Sequence, residues 1–334
     1  MATTMKAWKY ATTTSIVLKE DAIAPLQSAL SKHQLLVEVI TAALNPLDHK
    51  ILGGWLVRKL LMEKNGSPGL DFCGRVVEKH STNSTHTKGE LVFGSLPMIS
   101  TYGTLGQYIV VSTTACAPLP EGIDPDHAAA LGCAMGTAMR ALDAGTVKPG
   151  SKVFINGGSG GVGTWAIQIA KALGAHVTTT CSTTNTELCR QVGADEVLDY
   201  RTLAIIPELK KMGQVFDLAI DNVGSDALYN SCDTFLKSTG CFAQVAATSS
   251  IHNISMIVWR TICCHLPTPR RRTFHLVVVK AKTEDYSQLA RWILDGKVKA
   301  VIDSTFEFED APKAFEKLQT GHAKGKIIVH GSKK

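Results

Sequence analysis

One segment near the middle of the chain constrains the fold more than any other part of the sequence. It begins with a continuous apolar run at 152–156, typical of a buried parallel strand. Five of the next seven residues, 157–163, are glycine, and the helix-forming stretch 164–173 follows them. A second strand rich in β-branched residues occupies 176–180. Strand, glycine turn, helix and strand in this order predict a parallel βαβ unit.

The spacing of the glycines indicates what the turn binds. Gly158, Gly160 and Gly163 fit the pattern G-x-G-x-x-G, placed between a predicted strand and a predicted helix, which is the context that supports a dinucleotide site. The first glycine allows the tight turn, the second lets a pyrophosphate approach the backbone, and the third lets helix and strand pack closely. The amino end of the helix favours phosphate groups. The alternative is a merely flexible glycine turn.

The end of the second strand indicates which dinucleotide is bound. NAD-binding proteins place an acidic residue there to bind the ribose hydroxyl, and a carboxylate repels a 2′-phosphate. Residues 181–185 contain no acid. We therefore predict NADPH as the cofactor, with Ser182 and Asn185 donating to the phosphate; an ordinary capping turn is the alternative for these two residues. Tyr200 and Arg201, after the next strand, are expected to supply a further contact.

The rest of the chain changes character along its length. The first third contains short strand-like segments separated by Gly, Ser and Thr turns, which suggests a compact β-barrel or sandwich. After the glycine turn, further strands alternate with helices, which predicts an α/β domain with a doubly wound parallel sheet. A final strand, helix and strand lie in 301–330. This return to β character suggests that the end of the chain completes the first domain.

Composition excludes several classes of function. The 334 residues carry a net charge of +6, too small and too scattered to indicate a nucleic-acid partner, and the basic cluster Arg270–Arg272 is typical of a solvated loop. No apolar run is long enough to span a bilayer, so no membrane contact is expected. The nine cysteines form no C-x-x-C pair, which predicts reduced thiols in a cytoplasmic protein and no metal site.

Several motifs in order carry a resemblance to a known family. They are Asn45–Asp48, Gly69–Val77, Gly103–Tyr108, the glycine turn, Gly193–Asp195 with Asp199 and Tyr200, Asp221–Gly224, and Gly321–Lys326. Together they resemble the medium-chain dehydrogenase/reductase superfamily, in its zinc-free quinone oxidoreductase and enoyl reductase branch. The resemblance covers nearly the whole chain. It implies an α/β protein with a GroES-like, β-rich catalytic domain, residues 1–122 and 266–334, and an inserted Rossmann domain that binds NADP, residues 123–265.

This chain differs from the zinc enzymes of the superfamily at the residues that bind zinc, and these differences limit the reactions that we expect. Those enzymes have Gly-His-Glu where this chain has Gly69-Leu70-Asp71, and they carry a cysteine ligand near 45–49 and a four-cysteine lobe that this chain lacks. Without a Lewis acid, alcohol dehydrogenation is not expected. The resemblance then implies hydride transfer from NADPH to an activated C=C bond or a quinone. The substrate is expected to be a small molecule: an enone, an enoyl thioester or a quinone.

The resemblance also implies site residues. Asn45, Asp48 and Lys50 are the catalytic candidates, although Asp48 also fits an Asx turn and Lys50 a solvated surface position. The cofactor-binding candidates, besides those already named, are Thr137, Ser159, Gly161, Val162, Asn222 and Lys326. Trp55, Met98, Trp259 and Phe274 would form an apolar substrate pocket if they converge; the alternative for such residues is the core.

Three other functions stay open on the sequence alone. The chain fits a trans-acting enoyl reductase with an acyl-carrier partner, which the basic cluster near Arg271 would suit. It also fits a catalyst repurposed in secondary metabolism, such as a cyclase. The third is an NADPH-binding sensor or interaction protein without turnover. Relatives commonly pair the edges of their Rossmann sheets, so the resemblance implies a possible homodimer. The substrate itself and the proton donor are not fixed by the sequence.

Overall fold

The structure is a computed structural model, described for residues 4–12, 15–50, 66–98, 100–245, 260–261, 272–278 and 283–333. The chain divides into two compact units. Unit 1 comprises Met1–Gly136 and Lys280–Lys334, and unit 2 comprises Thr137–Val279. None of the described helices combines the length and the apolar character needed to cross a membrane.

The strands and helices follow one another along the described chain. The strands are β1 (Thr4–Tyr10), β2 (Ile16–Ile23), β3 (Gln34–Leu44), β4 (Asp71–Lys79), β5 (Leu91–Ser95), β6 (Tyr108–Ser112), β7 (Cys116–Pro118), β8 (Lys152–Asn156), β9 (His176–Cys181), β10 (Glu196–Asp199), β11 (Phe216–Asp221), β12 (Leu236–Gln244), β13 (Thr273–Leu276), β14 (Ile302–Phe306) and β15 (Lys326–His330). The helices are α1 (Pro46–Lys50), α2 (Pro125–Ala129), α3 (Gly132–Ala144), α4 (Gly161–Ala172), α5 (Thr186–Gln191), α6 (Ile205–Met212), α7 (Asp226–Asn230), α8 (Thr283–Leu294) and α9 (Ala311–Gln319).

Unit 1 is built around the long strand β3. This strand pairs antiparallel with β4, β6 and β15, in a sheet whose order is β14-β15-β3-β4-β5-β7. Alternate residues of β3, among them Leu35, Val37 and Val39, are buried in the core. The core also contains Phe315 and Ile327 from the end of the chain. The last strand is therefore part of the sheet of unit 1.

Unit 2 contains a six-stranded parallel sheet in the order β10-β9-β8-β11-β12-β13. Helices alternate with its strands, and apolar residues of β8 and β11 are buried because a parallel sheet is covered on both faces. Phe154, Phe216, Phe235, Phe242 and Phe274 belong to one hydrophobic cluster. The expected doubly wound α/β fold is confirmed.

The boundaries between the units differ from the predicted ones, 122/123 and 265/266, for two local reasons. Helix α2 packs against β3, β4 and β5, and the Thr41 hydroxyl donates to Asp126 at 2.9 Å, so this helix belongs to unit 1. Strand β13 pairs in parallel with β12 and extends the sheet of unit 2. The sequence reading assigned β13 to the first domain because a single short strand does not reveal which sheet it joins.

Candidate active site

The glycine turn of unit 2 connects β8 to α4. The N–H groups of Gly157 and Gly158 donate to Thr180 Oγ1 and the Thr180 carbonyl at 2.9 and 2.8 Å. A Cβ at Gly158 would lie 2.1 Å from Thr179 Oγ1, and one at Gly163 would lie 2.2 Å from the Gly157 carbonyl oxygen. Gly158 and Gly163 are therefore required for close packing of the turn, strand and helix.

Gly160 has a different environment. A Cβ placed there would meet only the Gly157 carbonyl oxygen, at 3.8 Å, so the space in front of this residue is open. Gly160 is also the N-cap of the twelve-residue helix α4, and no side chain caps that end. Open backbone beside an uncapped helix terminus fits a pyrophosphate group. Gly161 and Val162 are the first two residues of the same helix.

A buried polar network joins the glycine turn to the end of β11. The Thr180 hydroxyl donates to Asn156, and the Asn156 amide donates to Asp221, at 2.7 and 2.9 Å. Asp221 accepts N–H bonds from the three residues 223–225 and so fixes the loop after the strand. The sequence reading gave Thr180 and Asn156 no role, since their separation along the chain hides the contact.

Asn222 lies in this fixed loop. Both polar atoms of its side-chain amide are buried and have no hydrogen-bond partner within the described structure. A buried amide without partners is costly, which makes such a group a candidate for ligand contact. Asn222 therefore fits the predicted role in cofactor binding.

The end of β9 carries the residues predicted to bind the 2′ position. The Asn185 amide donates to Ser159 Oγ at 3.0 Å, so these two cofactor candidates are in contact. Ser182 Oγ lies 3.3 Å from Thr184 Oγ1. Tyr200 is half exposed, and the Arg201 guanidinium lies 5.7 Å from the centre of its ring. These side chains belong to two loops at the carboxyl edge of one sheet.

Asp199 also lies at this edge; the sequence named it only as part of a family motif and gave it no role in the site. Its carboxylate accepts a hydrogen bond from the Thr183 hydroxyl at 2.6 Å and another from the Arg201 N–H at 2.9 Å. The hydrogen bond from Thr183, helped by that from Arg201, lowers the pKa of Asp199. Strand pairing is the signal that would have found it, because Asp199 is the register partner of Cys181.

Two further cofactor candidates are buried. Thr137 lies in helix α3 and is 5% exposed. Lys326 belongs to unit 1, where its ammonium group donates to Asn45 Oδ1 at 2.6 Å and to Asp71 Oδ2 at 3.0 Å. Its described contacts are therefore with two side chains of its own unit.

Asn45, Asp71 and Lys326 form a buried charged network in unit 1. The Asn45 amide also donates to Asp71 Oδ2 at 2.8 Å, and the Cys133 N–H donates to Asp71 Oδ1 at 2.7 Å. The three side chains are all no more than 5% exposed. Since each charge is paired and hydrogen-bonded, this network holds β3, β4 and β15 in a fixed arrangement.

Asp48 is next to this network and is only partly satisfied. Its Oδ2 accepts the N–H of Asn45, three residues earlier, at 2.7 Å, which is a helix-capping contact and not the Asx turn offered as the alternative, whereas Oδ1 is buried without a partner in the described part of the chain. Burial raises the pKa of Asp48 to about 7, with the nearby Asp71 acting in the same direction. A carboxyl group of this kind exchanges a proton near neutral pH.

The other predicted site residues are exposed, packed in a core or outside the described residues. Lys50, at the end of α1, is exposed. Met98 is 48% exposed in the loop after β5, and Phe274 packs against Tyr229 and Phe242 in the core of unit 2, so the structure gives Phe274 a packing role. Trp55 and Trp259 lie outside the described residues, so the pocket that the four residues would form stays a prediction.

Of the basic cluster, Arg270 and Arg271 also lie outside the described residues. Arg272 donates to the Leu236 carbonyl at 3.0 and 3.2 Å and pairs with Asp233. Its guanidinium group is therefore committed to the fold of unit 2. Among the residues that the structure describes, no group of three His, Cys, Asp or Glu side chains is arranged to hold a metal ion.

Comparisons with known proteins agree with this geometry. The model of the alcohol dehydrogenase GroES-like domain matches residues 31–121, and that of the zinc-binding dehydrogenase domain matches residues 192–329. The trans-enoyl reductase pgmF of Aspergillus terreus is 39% identical, with 98% of this chain and 96% of the relative covered. The mitochondrial NAD(P)H oxidoreductase RTN4IP1 of Danio rerio is 29% identical over 98% of this chain and 91% of its own length.

A solved structure supports the same relationship. The quinone oxidoreductase from Coxiella burnetii superposes with a TM-score of 0.83 and is 28% identical, over 98% of this chain and 99% of that one. Similarity of this extent covers both units and all the motifs described above. The chain therefore belongs to the medium-chain dehydrogenase/reductase superfamily, in the branch that contains quinone oxidoreductases and enoyl reductases.

Proposed function

We propose that the protein is an NADPH-dependent reductase that acts on the activated C=C bond of an enone or an enoyl thioester without zinc. The observation that carries this proposal is the end-to-end similarity to a trans-enoyl reductase. The open backbone at Gly160 and the unpartnered amide of Asn222 support the nicotinamide cofactor. The absence of an acid in 181–185 supports the 2′-phosphate, and Arg201 supplies a positive charge at the same sheet edge.

The residues of unit 2 bind and orient the cofactor in this proposal. The backbone N–H groups at the start of α4 bind the pyrophosphate, and Asn222 donates to the nicotinamide end. Ser182, Asn185, Tyr200 and Arg201 bind the 2′-phosphate. When bound, the reduced nicotinamide supplies a hydride to the β-carbon of the substrate.

The residues of unit 1 handle the proton and the developing charge. As the β-carbon accepts hydride, the carbonyl oxygen gains negative charge, which the Lys50 ammonium stabilises. Asp48 holds a proton near neutral pH, because burial raises its pKa to about 7, and this proton is delivered to the α-carbon. Asn45 and Lys326 keep Asp48 in place, since the Asn45 N–H donates to its Oδ2.

The decisive experiment measures NADPH oxidation with a panel of substrates: a crotonyl thioester, a simple enone and a benzoquinone. We expect saturated product from the thioester or the enone, with deuterium from C4-labelled NADPH at the β-carbon. Asp48→Asn is expected to lower kcat by about a hundredfold, the lower range for loss of a general acid, without changing the Kd for NADPH. Lys32→Met, an exposed lysine of unit 1, is the control and should leave kcat unchanged. Tight NADPH binding with no oxidation by any of these substrates would favour the sensor function instead.

Quinone reduction is the second candidate, because the Coxiella burnetii relative is a quinone oxidoreductase. The same panel separates the two reactions: benzoquinone turnover with an inert thioester and enone would establish it. A cyclase repurposed in secondary metabolism would give a cyclic product without net NADPH consumption.

A trans-acting role requires an acyl-carrier partner. The pgmF relative is a trans-enoyl reductase, which supports this alternative. Arg272 is bound to the fold through Leu236, so Arg271 is the better candidate for contact with an acidic carrier. Arg271→Glu should then raise the KM for a carrier-bound thioester while sparing the free thioester. An equal effect on both substrates would exclude this partner.

The homodimer and the compartment are also proposals. Strand β13 is at the edge of the sheet order of unit 2, and Leu276 on it is 38% exposed, which supports pairing with a second copy there. Light scattering at several protein concentrations would test the dimer. All seven described cysteines are free thiols, which supports a cytoplasmic location; cell fractionation would test it against the mitochondrial location of the RTN4IP1 relative.

A further inference from the structure

The sequence has no acidic residue directly after β9, but the fold places one beside the end of this strand. It is Asp199, the last residue of β10. Strands β9 and β10 run in parallel, with Asp199 in register with Cys181, the last residue of β9. The Tyr200 N–H donates to the Cys181 carbonyl at 3.1 Å, so the two strand ends remain together. Asp199 therefore ends the strand next to β9, beside the strand end at which NAD-binding proteins carry their ribose-binding carboxylate.

Hydrogen bonds hold the Asp199 carboxylate against the loop that follows β9. The Thr183 hydroxyl donates to Oδ2 at 2.6 Å and the Arg201 N–H to Oδ1 at 2.9 Å. The same loop reaches the glycine turn through Asn185 and Ser159, 3.0 Å apart. Because these contacts join one to the next, the carboxylate belongs to the same loop cluster as the glycine turn.

The hydrogen bond from Thr183 has a second effect. A hydroxyl has one proton, and this one is committed to Asp199, so Thr183 does not donate to a phosphate. A lowered pKa keeps Asp199 charged at neutral pH. The 2′ subsite thus combines a negative charge from Asp199 with the positive charge of Arg201, which lies 5.7 Å from the Tyr200 ring centre.

We infer that Asp199 is a specificity-determining residue that weakens binding of the 2′-phosphate and so limits the preference for NADPH over NADH. This inference rests on the proposed nicotinamide cofactor. The carboxylate repels the phosphate, whereas it accepts a hydrogen bond from the free 2′-hydroxyl of NADH. The positive charge of Arg201 acts in the opposite direction and attracts the phosphate. The balance between these two charges sets the preference for NADPH over NADH.

The test is to measure the Kd of NADPH and of NADH by titration calorimetry for the wild type and for Asp199→Asn. The variant keeps an acceptor for Thr183 and removes the charge. We expect the preference for NADPH to rise about three- to tenfold, mainly through tighter NADPH binding, since an exposed charge acts through screened electrostatics. High ionic strength should reduce this change, which a purely structural role would not do.

Two further variants complete the design. Asp217→Asn is the control, because it removes a carboxylate from the start of β11, at the opposite edge of the same sheet. Asp217 accepts the Lys152 N–H there, and the preference for NADPH over NADH should not change in this variant. Arg201→Ala should lower the preference for NADPH. The inference is overturned if Asp199→Asn leaves the preference unchanged or lowers it, or weakens both cofactors equally. If the wild type binds neither cofactor, the proposed function fails and the inference fails with it.

Discussion

In unit 1 the buried ammonium of Lys326 donates to Asn45 and Asp71, whereas in unit 2 the buried amide of Asn222 has no partner within the described residues. The first arrangement satisfies its charges internally and gains rigidity. The second leaves a polar group and the open backbone at Gly160 for a ligand. Burial of polar groups thus serves different purposes at these two places: the network around Lys326 is a fixed framework, and the region of Gly160 and Asn222 is a prepared binding surface.

The largest expected effect is the loss of stability when the buried ion pair of Lys326 and Asp71 in unit 1 is broken. Lys326→Met leaves the carboxylate of Asp71, which is fully buried, without its cation. We expect the free energy of unfolding to fall by about 3–5 kcal/mol, the typical cost of breaking a buried ion pair on one side. Chemical denaturation measures it. Adding Asp71→Asn should restore part of the loss, and Lys313→Met, in an exposed pair with Asp310, should leave the free energy of unfolding nearly unchanged. A loss for Lys326→Met as small as that of Lys313→Met would remove the distinction between the two units.

The next prediction separates packing from ligand binding within the glycine turn of unit 2. Gly160→Ala meets only one atom, at 3.8 Å, so the melting temperature should stay near that of the wild type, while the Kd for NADPH rises about a hundredfold because the methyl group blocks the pyrophosphate. Gly163→Ala forces a contact with the Gly157 carbonyl and should also lower stability by about 1–3 kcal/mol. Equal Tm losses for both variants would contradict this division.

A smaller effect is the pH dependence of stability, which should differ between a carboxyl group of unit 1, Asp48, and one of unit 2, Asp195. Burial raises the pKa of Asp48 to about 7, so the folded state keeps a proton that the unfolded chain has released, and stability falls as pH rises from about 4 to 7. Asp48→Asn should therefore gain about 3 kcal/mol relative to the wild type between pH 5 and 8, since the wild type loses about 1.4 kcal/mol per pH unit up to the folded pKa.

Asp195 of unit 2 provides the opposite case. Burial alone would raise the pKa of Asp195, but the hydrogen bonds from Lys171 and Val177 lower it. The contribution of this carboxylate to stability is therefore present at neutral pH and lost on acidification. Asp195→Asn should thus lose stability at pH 7 and little at pH 3. Parallel pH profiles for Asp48→Asn and Asp195→Asn would show that the two environments do not differ.

The smallest effect concerns His330 at the surface of unit 1. Burial alone would lower its pKa, but hydrogen bonds to Asp126 and Glu307, each at 3.1 Å, raise it. Its stabilising contribution is complete below about pH 6.5 and is lost as pH rises through the folded pKa. His330→Gln should cost less than about 1 kcal/mol at pH 6 and less still at pH 9, since the group is partly exposed. His322→Gln, at an exposed position, is the control and should leave the free energy of unfolding unchanged.

Local patterns were predictable from the sequence and distant contacts were not. The glycine turn followed from spacing alone, because Gly158, Gly160 and Gly163 act within a few residues of one another. The network of Lys326 with Asn45 joins residues 281 positions apart, so no local pattern reports it. The role of Asp199 in the site was not predictable for the same reason, because Thr183 becomes its neighbour only after β9 and β10 have paired.

The central position of β3 has a consequence for how the chain folds. This strand is complete at residue 44, but its partner β15 begins only at residue 326, and Trp8 donates to the Phe308 carbonyl across 300 residues. Unit 2 is contiguous and can fold as soon as its own residues have been synthesised. Unit 1 cannot close before β15 emerges, and until then the end of β3, Thr41–Leu44, lacks one of its partner strands and is prone to aggregation. Truncation before residue 326 should therefore yield a folded unit 2 attached to an aggregating remainder, even though the residues lost are few.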